Sequence, residues 1–200
     1  WYDSGSSFFA ALHYPFENQE EFKKQFPRDF IAEGIDQTRG WFYSLLAVST
    51  AVFDKPSYKN VICHALVLDG EGKKMSKSKG NVIDPWDVIG KDGADAIRWY
   101  LLSSSQPWKP KLFSEEAVNE VNRSFLGTLR NVLGFYKTYA ELDGYKPVDR
   151  TDPTTRMDVD KWLLSRLNSL IENVNNSMMD FDLTGSAQAI KYFVIEDLSN

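Results

Sequence analysis

Two short apolar segments flank an amphipathic stretch in the first part of the chain. Residues 29–34 end in a glycine, and residues 60–68 are rich in β-branched side chains and nearly uncharged. Both patterns predict buried strands. The stretch between them carries apolar residues at intervals of three and four, which predicts a helix. Strand, helix and strand within about 40 residues form a βαβ unit, so we expect parallel strands and a right-handed crossover.

The predicted helix of this unit begins after Asp36, whose side chain we expect to cap its first turn. A Lys55-Pro56 pair ends it. Shorter helices are predicted over residues 19–26, where Pro27 follows, and over residues 92–102. Asp84 is a predicted N-cap, because Pro85 follows it as a first-turn proline. The apolar positions of the central helix are Trp41, Phe42, Leu45, Leu46, Val48, Val52 and Phe53.

The last part of the chain is typical of long amphipathic helices. Ser114 is a predicted N-cap, with acidic residues in the first turn where the helix dipole favours them. Further helices are predicted over residues 160–178 and from Asp182 or Thr184 onward, with a loop over residues 143–158. The proline-containing residues 106–112 are the predicted linker before this region. The pattern indicates an up-and-down helical bundle that is left open at its last helix.

Composition excludes several classes of protein. The net charge of −5 disfavours nonspecific binding of polyanions by the chain as a whole. One cysteine excludes a disulfide framework and a cysteine-rich metal site, and the two histidines lack partners at ligand spacing. No apolar run approaches ~20 residues, so we expect no membrane span. The chain begins without methionine and ends within an amphipathic pattern, which predicts a fragment of a longer protein.

Four lysines lie within seven residues of a loop that follows the second predicted strand. Residues 69–81 read DGEGKKMSKSKGN. Ligands of open α/β sheets bind beyond the carboxyl ends of strands, and lysine there can offset the charge that builds as a phosphoryl bond breaks. Flanking glycine and serine allow such a loop to open and close. The pattern therefore predicts a phosphate-binding loop, with a solvated charged surface as the alternative.

Within this loop, residues 74–78 (KMSKS) resemble the second signature of the class I aminoacyl-tRNA synthetases. Residues 32–42 (AEGIDQTRGWF) and the opening WYDSGS are similar to the isoleucyl-tRNA synthetases within that class. The order of these motifs is completed by residues 60–68, the loop and the VIDP segment that follows it. The resemblance therefore covers essentially the whole chain. The motif KMSKSKGNVIDP is shared with valyl enzymes, whereas GIDQTRGWF separates the two. The first signature of the class, a His-Ile-Gly-His-like motif, is absent here.

The resemblance implies an α/β region followed by an all-α region. Residues 1–110 would be the C-terminal half of the catalytic nucleotide-binding domain, a partial Rossmann-like parallel sheet with its KMSKS loop. Residues 111–200 would be a helical linker and the start of the anticodon-binding bundle, which is a partial helical bundle.

The implied activity is that of an isoleucine-tRNA ligase. Isoleucine reacts with ATP, supplied with Mg²⁺, to form isoleucyl-adenylate, and the aminoacyl group then passes to tRNA(Ile). The resemblance implies a cytoplasmic, monomeric parent enzyme with no zinc in this segment. We expect the chain alone to be inactive, because it lacks the first signature, the first half of the sheet and the editing domain. The alternatives are a valyl-tRNA synthetase fragment and a non-catalytic tRNA-binding module.

The resemblance also implies roles for individual residues, each with a simpler alternative. Trp1 and Trp41 would flank the isoleucine side chain, or they are ordinary core aromatics. Glu33 would lie near the adenylate, and Gly34 would allow close backbone approach at the strand end. Asp36 and Gln37 would bind ribose hydroxyls and the adenylate, or simply cap the helix.

The remaining implied contacts are to ATP. Backbone groups of Val67 and Leu68 would meet adenine, while Lys74 and Lys77 would hold the triphosphate and act as the catalytic residues. Met75 would anchor the loop in an apolar niche, and Ser76 and Ser78 complete the ATP-binding segment. Basic residues of the last part are either phosphate contacts or solvated side chains: Lys111, Arg123, Arg130, Lys137 and Arg166.

Overall fold

The computed structural model describes residues 1–146 and 156–200. The chain forms two compact units. The first consists of Trp1–Leu66 with Pro107–Pro110, and the second of Val67–Gln106 with Lys111–Asn200. A boundary between functional domains at residue 110 stays a prediction, because compact units are defined by contacts alone.

The first unit contains the predicted βαβ order. Its strands pair in parallel, with Arg28 opposite Tyr58 and Gly34 opposite His64, which confirms the predicted strand direction. The helices are α1 (Tyr2–Gly5), α2 (Ser7–Ala10), α3 (Gln19–Gln25) and α4 (Trp41–Phe53), and the strands are β1 (Arg28–Gly34) and β2 (Tyr58–His64).

Both strands are less buried than the sequence predicted. Ile31 and Ile62 are buried, but Phe30 is 52% exposed and Val61 is 43% exposed. Within the described residues, β1 and β2 form a sheet of two strands. Because side chains alternate between the faces of a strand, a sheet covered on one face leaves every second residue exposed. The prediction of two fully buried strands is therefore wrong.

The core of the first unit is aromatic. Phe22 lies at its centre, stacked against Tyr14 with ring centroids 4.2 Å apart and against Phe26 at 5.0 Å. Such ring pairs contribute about 0.5–1.5 kcal/mol each beyond the area that they bury. The buried members of this cluster are Phe8, Phe22, Ile31, Phe42 and Leu45.

The start of α4 differs from the prediction. Residues Ile35–Arg39 form a 3₁₀ turn, and α4 begins at Trp41 after Gly40. Asp36 lies in the turn and therefore does not cap α4. Phe42, Leu45 and Val48 are buried as predicted, whereas Leu46 and Val52 are exposed.

The second unit is mainly helical. Its two short strands pair in parallel, with Val67 opposite Lys111 and Leu68 opposite Leu112. The strands are β3 (Val67–Leu68) and β4 (Lys111–Leu112), and the helices are α5 (Pro85–Asp92), α6 (Ala94–Ser103), α7 (Glu115–Val121), α8 (Gly127–Leu142), α9 (Asp158–Met179) and α10 (Leu183–Tyr192). A π-helical segment at Asn122–Leu126 joins α7 to α8, and another at Phe193–Leu198 extends α10.

Two sequence predictions fail at the strands of this unit. The single strand predicted over residues 60–68 is divided, because β2 ends at His64 and β3 begins at Val67. The segment predicted as a linker contains β4, whose pairing with β3 gives its backbone groups partners. Pairing between distant segments therefore forms a strand here, although the prolines of residues 106–112 predicted a linker.

The predicted helix caps of the second unit are confirmed. Asp84 accepts a hydrogen bond from the Trp86 backbone N–H at 2.9 Å, and Ser114 accepts one from Ala117 at 3.2 Å. Asp182, rather than Thr184, begins α10 and accepts from the Gly185 N–H at 2.9 Å. Most of the predicted loop over residues 143–158, including its prolines, lies outside the described residues.

The second unit has two apolar clusters. In one, Val88, Ala96 and Val118 are fully buried where α5, α6 and α7 meet. The other contains Phe125, Phe193 and Val194, with the Trp99 ring stacked 4.3 Å from that of Phe125.

The apolar side chains of α8 are only partly covered. Leu133 is 51% exposed and Tyr136 is 50% exposed. Over residues 1–146 and 156–200, no helix has both the length and the apolar character needed to cross a membrane.

Candidate functional site

The predicted site residues of the first unit lie at the carboxyl end of β1. A β-carbon on Gly34 would stand only 2.6 Å from Oδ1 of Asp36, so the carboxylate of Asp36 folds back against the glycine. Oδ2 of Asp36 accepts a hydrogen bond from Nε2 of Gln37 at 2.9 Å. Glu33, one residue earlier, has an exposed side chain. The structure thus brings Gly34, Asp36 and Gln37 together beside an exposed carboxylate.

Gln37 connects this turn to α4. Its Oε1 accepts a hydrogen bond from the Trp41 backbone N–H at 2.9 Å, which satisfies a donor at the start of the helix. The capping role that the sequence assigned to Asp36 therefore belongs to Gln37. Both ends of the Gln37 amide are engaged within this turn, which orients its side chain.

The two tryptophans lie at different clefts of the first unit. Trp41 donates from Nε1 to the Ser4 carbonyl at 3.0 Å and lines a mostly apolar cleft of about 430 Å³ with Phe8, Ile31 and Leu45. Trp1 is 79% exposed and lines a second cleft, of about 360 Å³, with Tyr43. A shared role as the walls of one slot stays a prediction.

In the second unit, residues 69–81 form a closed loop, here called the lysine loop. At its start, the Asp69 N–H donates to the Lys73 carbonyl at 2.9 Å, and Leu68 forms an antiparallel bridge with Lys74. The Leu68 carbonyl accepts from the Phe113 N–H at 2.8 Å. The backbone that the resemblance assigns to adenine is therefore held in place by β4.

Asp69 is the centre of the hydrogen bonds at the base of the lysine loop. Its Oδ1 accepts from the N–H of Glu71 at 3.0 Å and of Lys73 at 2.8 Å, and its Oδ2 accepts from Nδ2 of Asn81 at 2.7 Å. The bond from Asn81, followed by that from Lys73, holds the pKa of Asp69 below its usual range.

Sequence reasoning missed both Asp69 and Asn81. The available signal was their residue type, because aspartate and asparagine beside glycine bond to backbone N–H groups in turns. Their contact with each other depends on closure of the loop, which no local pattern reports.

The interior of the lysine loop is held by Met75 and Ser76. Met75 is half-buried against the cluster around Val88, which is the apolar anchoring expected for it. The Ser76 N–H donates to Oδ1 of Asn81 at 2.9 Å, and the Ser76 and Ser78 hydroxyls are 3.3 Å apart.

The lysines of the loop differ in their partners. Lys73 forms an ion pair with Glu71 at 2.6 Å. Lys74, Lys77 and Lys79 are exposed, and none of them has an ion pair with any of the described residues. Residues Lys77–Lys79 form a 3₁₀ turn. Three uncompensated ammonium groups on one loop can attract an anion with several charges.

Four of the basic residues outside the loop have partners within the fold. Two of these contacts are local, because Arg123 pairs with Glu120 at 2.5 Å and Arg130 donates to Oδ1 of Asn122 at 3.0 Å. Nζ of Lys111 lies 2.9 Å from Oγ of Ser105 and 3.2 Å from the Gln106 carbonyl, and burial lowers the pKa of Lys111. Arg166 forms an ion pair with Asp197 at 2.9 Å. These contacts favour a role in holding the fold together over phosphate binding.

A metal site has no support in the part of the chain that the structure describes. No group of three or more histidine, cysteine, aspartate or glutamate side chains is arranged there to hold an ion.

Family models match both ends of the chain. The model for tRNA synthetases class I (I, L, M and V) matches residues 1–111, and the model for the anticodon-binding domain of tRNA ligase matches residues 160–200. Isoleucine--tRNA ligase of Clostridium novyi is 54% identical over 200 residues, which are 100% of this chain and 19% of that protein. The protein of the same name from Thermus thermophilus is 51% identical over 199 residues. The chain spans about a fifth of the length of these relatives.

Solved structures show a similar fold. A LeuRS of Agrobacterium radiobacter, in a ternary complex with tRNA and LeuAMS, matches with a TM-score of 0.77 and 23% identity, over 96% of this chain and 25% of that chain. Mycobacterium tuberculosis methionyl-tRNA synthetase in complex with methionyl-adenylate matches with a TM-score of 0.77 and 24% identity, over 98% and 38% of the two chains. At these identities the likeness concerns the fold.

Proposed function

Since the chain belongs to the family of class I tRNA synthetases (I, L, M and V), we propose that it is part of an isoleucyl-tRNA synthetase. The whole protein activates isoleucine with ATP and Mg²⁺ to isoleucyl-adenylate and transfers the aminoacyl group to tRNA(Ile). The observation that carries the choice of isoleucine is the identity of about half of all residues to proteins named isoleucine--tRNA ligase. The enzyme is proposed to be cytoplasmic and monomeric.

The proposed domains meet at residue 110. Residues 1–110 belong to the C-terminal half of a Rossmann-like catalytic domain, in which the lysine loop is the KMSKS loop. Residues 111–200 are the helical linker and the start of the anticodon-binding bundle. The parallel pairing of β1 with β2 and the helices from α7 onward support this division.

In the proposed activation step, a carboxylate oxygen of isoleucine attacks the α-phosphorus of ATP. The new oxygen–phosphorus bond replaces the bond to the β-phosphate, and pyrophosphate leaves with its magnesium. This chemistry needs positioning and charge stabilisation more than a covalent nucleophile. Lys74 and Lys77 supply the positive charge, and their exposed ammonium groups without ion pairs support this role.

The other proposed contacts bind the adenylate and the amino acid. Asp36 and Gln37 bind ribose hydroxyls beside Gly34, and Glu33 lies near the aminoacyl-adenylate. The Val67 and Leu68 backbone, together with Met75, Ser76 and Ser78 of the loop, completes the ATP site. Trp1 and Trp41 contact the isoleucine side chain.

The test is ATP–pyrophosphate exchange by the full-length protein with isoleucine or valine as the amino acid. We expect exchange with isoleucine at a kcat/KM roughly 10- to 200-fold above that with valine, the range available to one methylene. A preference for valine would support the valyl alternative. Retention of tRNA in a gel-shift assay, without ATP binding or exchange, would support a non-catalytic tRNA-binding module. The 200-residue chain alone is expected to show no exchange.

A further inference from the structure

The first and last residues of the lysine loop are joined by their side chains. Nδ2 of Asn81 donates to Oδ2 of Asp69 at 2.7 Å, across 12 positions of sequence. The other oxygen of Asp69 accepts from two backbone N–H groups near the start of the loop, those of Glu71 and Lys73. We call this pair the Asp69–Asn81 clasp.

The clasp also reaches the segment that carries the proposed catalytic lysines. Oδ1 of Asn81 accepts from the Ser76 N–H at 2.9 Å, and Nδ2 of Asn81 lies 3.3 Å from the Lys74 carbonyl. Asn81 therefore holds the backbone on both sides of Met75, whose side chain rests on the apolar cluster around Val88. A single carboxamide bonds to the base and to the tip of the same loop.

The lysine side chains of this segment have few other restraints. Lys74 and Lys77 have no ion pairs with the described residues, and Gly80 follows Lys79 with a φ of +66°. An exposed chain without such contacts samples many conformations, each of which costs entropy to exclude. Asn81 gives residues 74–77 two polar contacts from the end of the loop, at the Ser76 N–H and at the Lys74 carbonyl. Their other backbone contacts are the bridge of Lys74 with Leu68 and local bonds within residues 76–80.

We infer that the Asp69–Asn81 clasp orients Lys74 and Lys77 for the triphosphate, so that Asp69 and Asn81 are positioning residues of the activation step. The inference rests on the proposed function. Reacting groups that are held in place before the reaction lower its barrier, and a misplacement of about 1 Å can cost about 100-fold in rate. Neither residue needs to touch ATP for this effect.

The test exchanges the two side chains in the full-length protein. Asn81→Asp places two carboxylates against each other. Asp69→Asn leaves one acceptor oxygen where two are used, so its NH2 group faces another donor, either Nδ2 of Asn81 or the N–H groups of Glu71 and Lys73. Each single substitution therefore disrupts the clasp. In the double variant, the amide at position 69 donates to the carboxylate at position 81, which still accepts from the Ser76 N–H, and only the 3.3 Å contact with the Lys74 carbonyl is not restored. We expect each single substitution to lower kcat of isoleucine-dependent exchange about tenfold or more, and the double variant to recover most of the loss.

The KM for isoleucine separates positioning from general damage. It should stay within about threefold of the wild-type value in all three variants, because the clasp acts on the lysines rather than on the amino acid. Glu71→Gln is the matched control on the same loop, since it removes only the ion pair with Lys73 and should leave kcat unchanged. Thermal unfolding of each variant shows whether it is folded.

The outcomes distinguish this inference from the proposed function. A wild-type protein without exchange overturns both. An active wild-type protein whose single variants keep full kcat, or whose double variant is no better than the single ones, overturns the clasp alone. Recovery of kcat in the double variant with an unchanged KM for isoleucine supports it.

Discussion

Gly5 of α1 lies against the backbone of Ser44 in α4. A β-carbon on Gly5 would stand 2.8 Å from the Ser44 carbonyl oxygen, which real side chains do not do. Close approach of the two helices at this point therefore requires glycine. The contact places α1, and with it Trp1, against the helix that begins at Trp41.

We expect Gly5→Ala to push α1 away from α4. Overpacking of this kind costs about 1–3 kcal/mol, so the free energy of unfolding should fall by that amount. Urea denaturation followed by tryptophan fluorescence measures it. Gly134→Ala is the matched control, because Gly134 lies within α8 with open space around it, and alanine there should add up to about 1 kcal/mol. Equal losses for both variants would show that the Gly5–Ser44 contact is unimportant.

Lys77→Ala in the full-length protein should lower the rate of isoleucine activation about 100- to 1,000-fold, the usual cost of removing one group that stabilises developing charge. Isoleucine binding should change far less, because the ammonium group acts on the phosphates. Lys79→Ala is the control, since Lys79 lies on the same 3₁₀ turn and is also exposed. Exchange kinetics and isoleucine titration give the two quantities. Equal losses in the activation rate and in isoleucine binding would contradict the assigned role of Lys77.

Gln37→Ala should destabilise the start of α4. The substitution leaves the Trp41 N–H without its acceptor, and loss of such a cap costs about 0.5–2 kcal/mol. Thr38→Ala is a fair comparison, because the Thr38 hydroxyl donates to the Ile35 carbonyl within the turn and does not reach α4. Chemical denaturation of the two variants side by side measures the difference. If Thr38→Ala is the more destabilising, the Gln37 contact does not hold the helix.

Asp182 should make stability depend on pH in the acid range. The bonds that Asp182 accepts, first from Gln106 and then from the Gly185 N–H, lower its pKa below the ordinary value of 3.8. A lowered folded-state pKa contributes stability above the unfolded-state value, and this contribution is lost as pH falls through the folded-state value. Asp182→Asn keeps a capping oxygen but does not titrate. Between about pH 7 and about pH 3, the wild type should therefore lose more free energy of unfolding than Asp182→Asn. Parallel pH dependences would refute this.

Local signals in the sequence predicted the secondary structure well where each signal lies within one turn. Asp84, Ser114 and Asp182 begin their helices as predicted, because a cap bonds to a backbone N–H two or three residues away. The parallel βαβ order was also predicted from the sequence. A strand, a helix and a strand within about 40 residues leave few other topologies.

The errors have two causes, pairing between distant segments and an unexpected turn before α4. The strand predicted over residues 60–68 is divided, because β3 pairs with β4 more than 40 positions later. Gln37 rather than Asp36 bonds to α4, because the 3₁₀ turn that contains both residues changes which side chain reaches the Trp41 N–H. Neither feature has a local signature.

The chain by itself determined the positions of the lysines, the caps of α5, α7 and α10 and the order of the parallel strands β1 and β2, since these depend on residue type at short spacing. The tertiary structure decided which side chains close the lysine loop, where Asn81 meets Asp69 and Met75 meets the apolar cluster. It also placed Trp1 and Trp41 at two separate clefts. These relationships depend on closing loops and packing helices, whose geometry no short stretch of sequence contains.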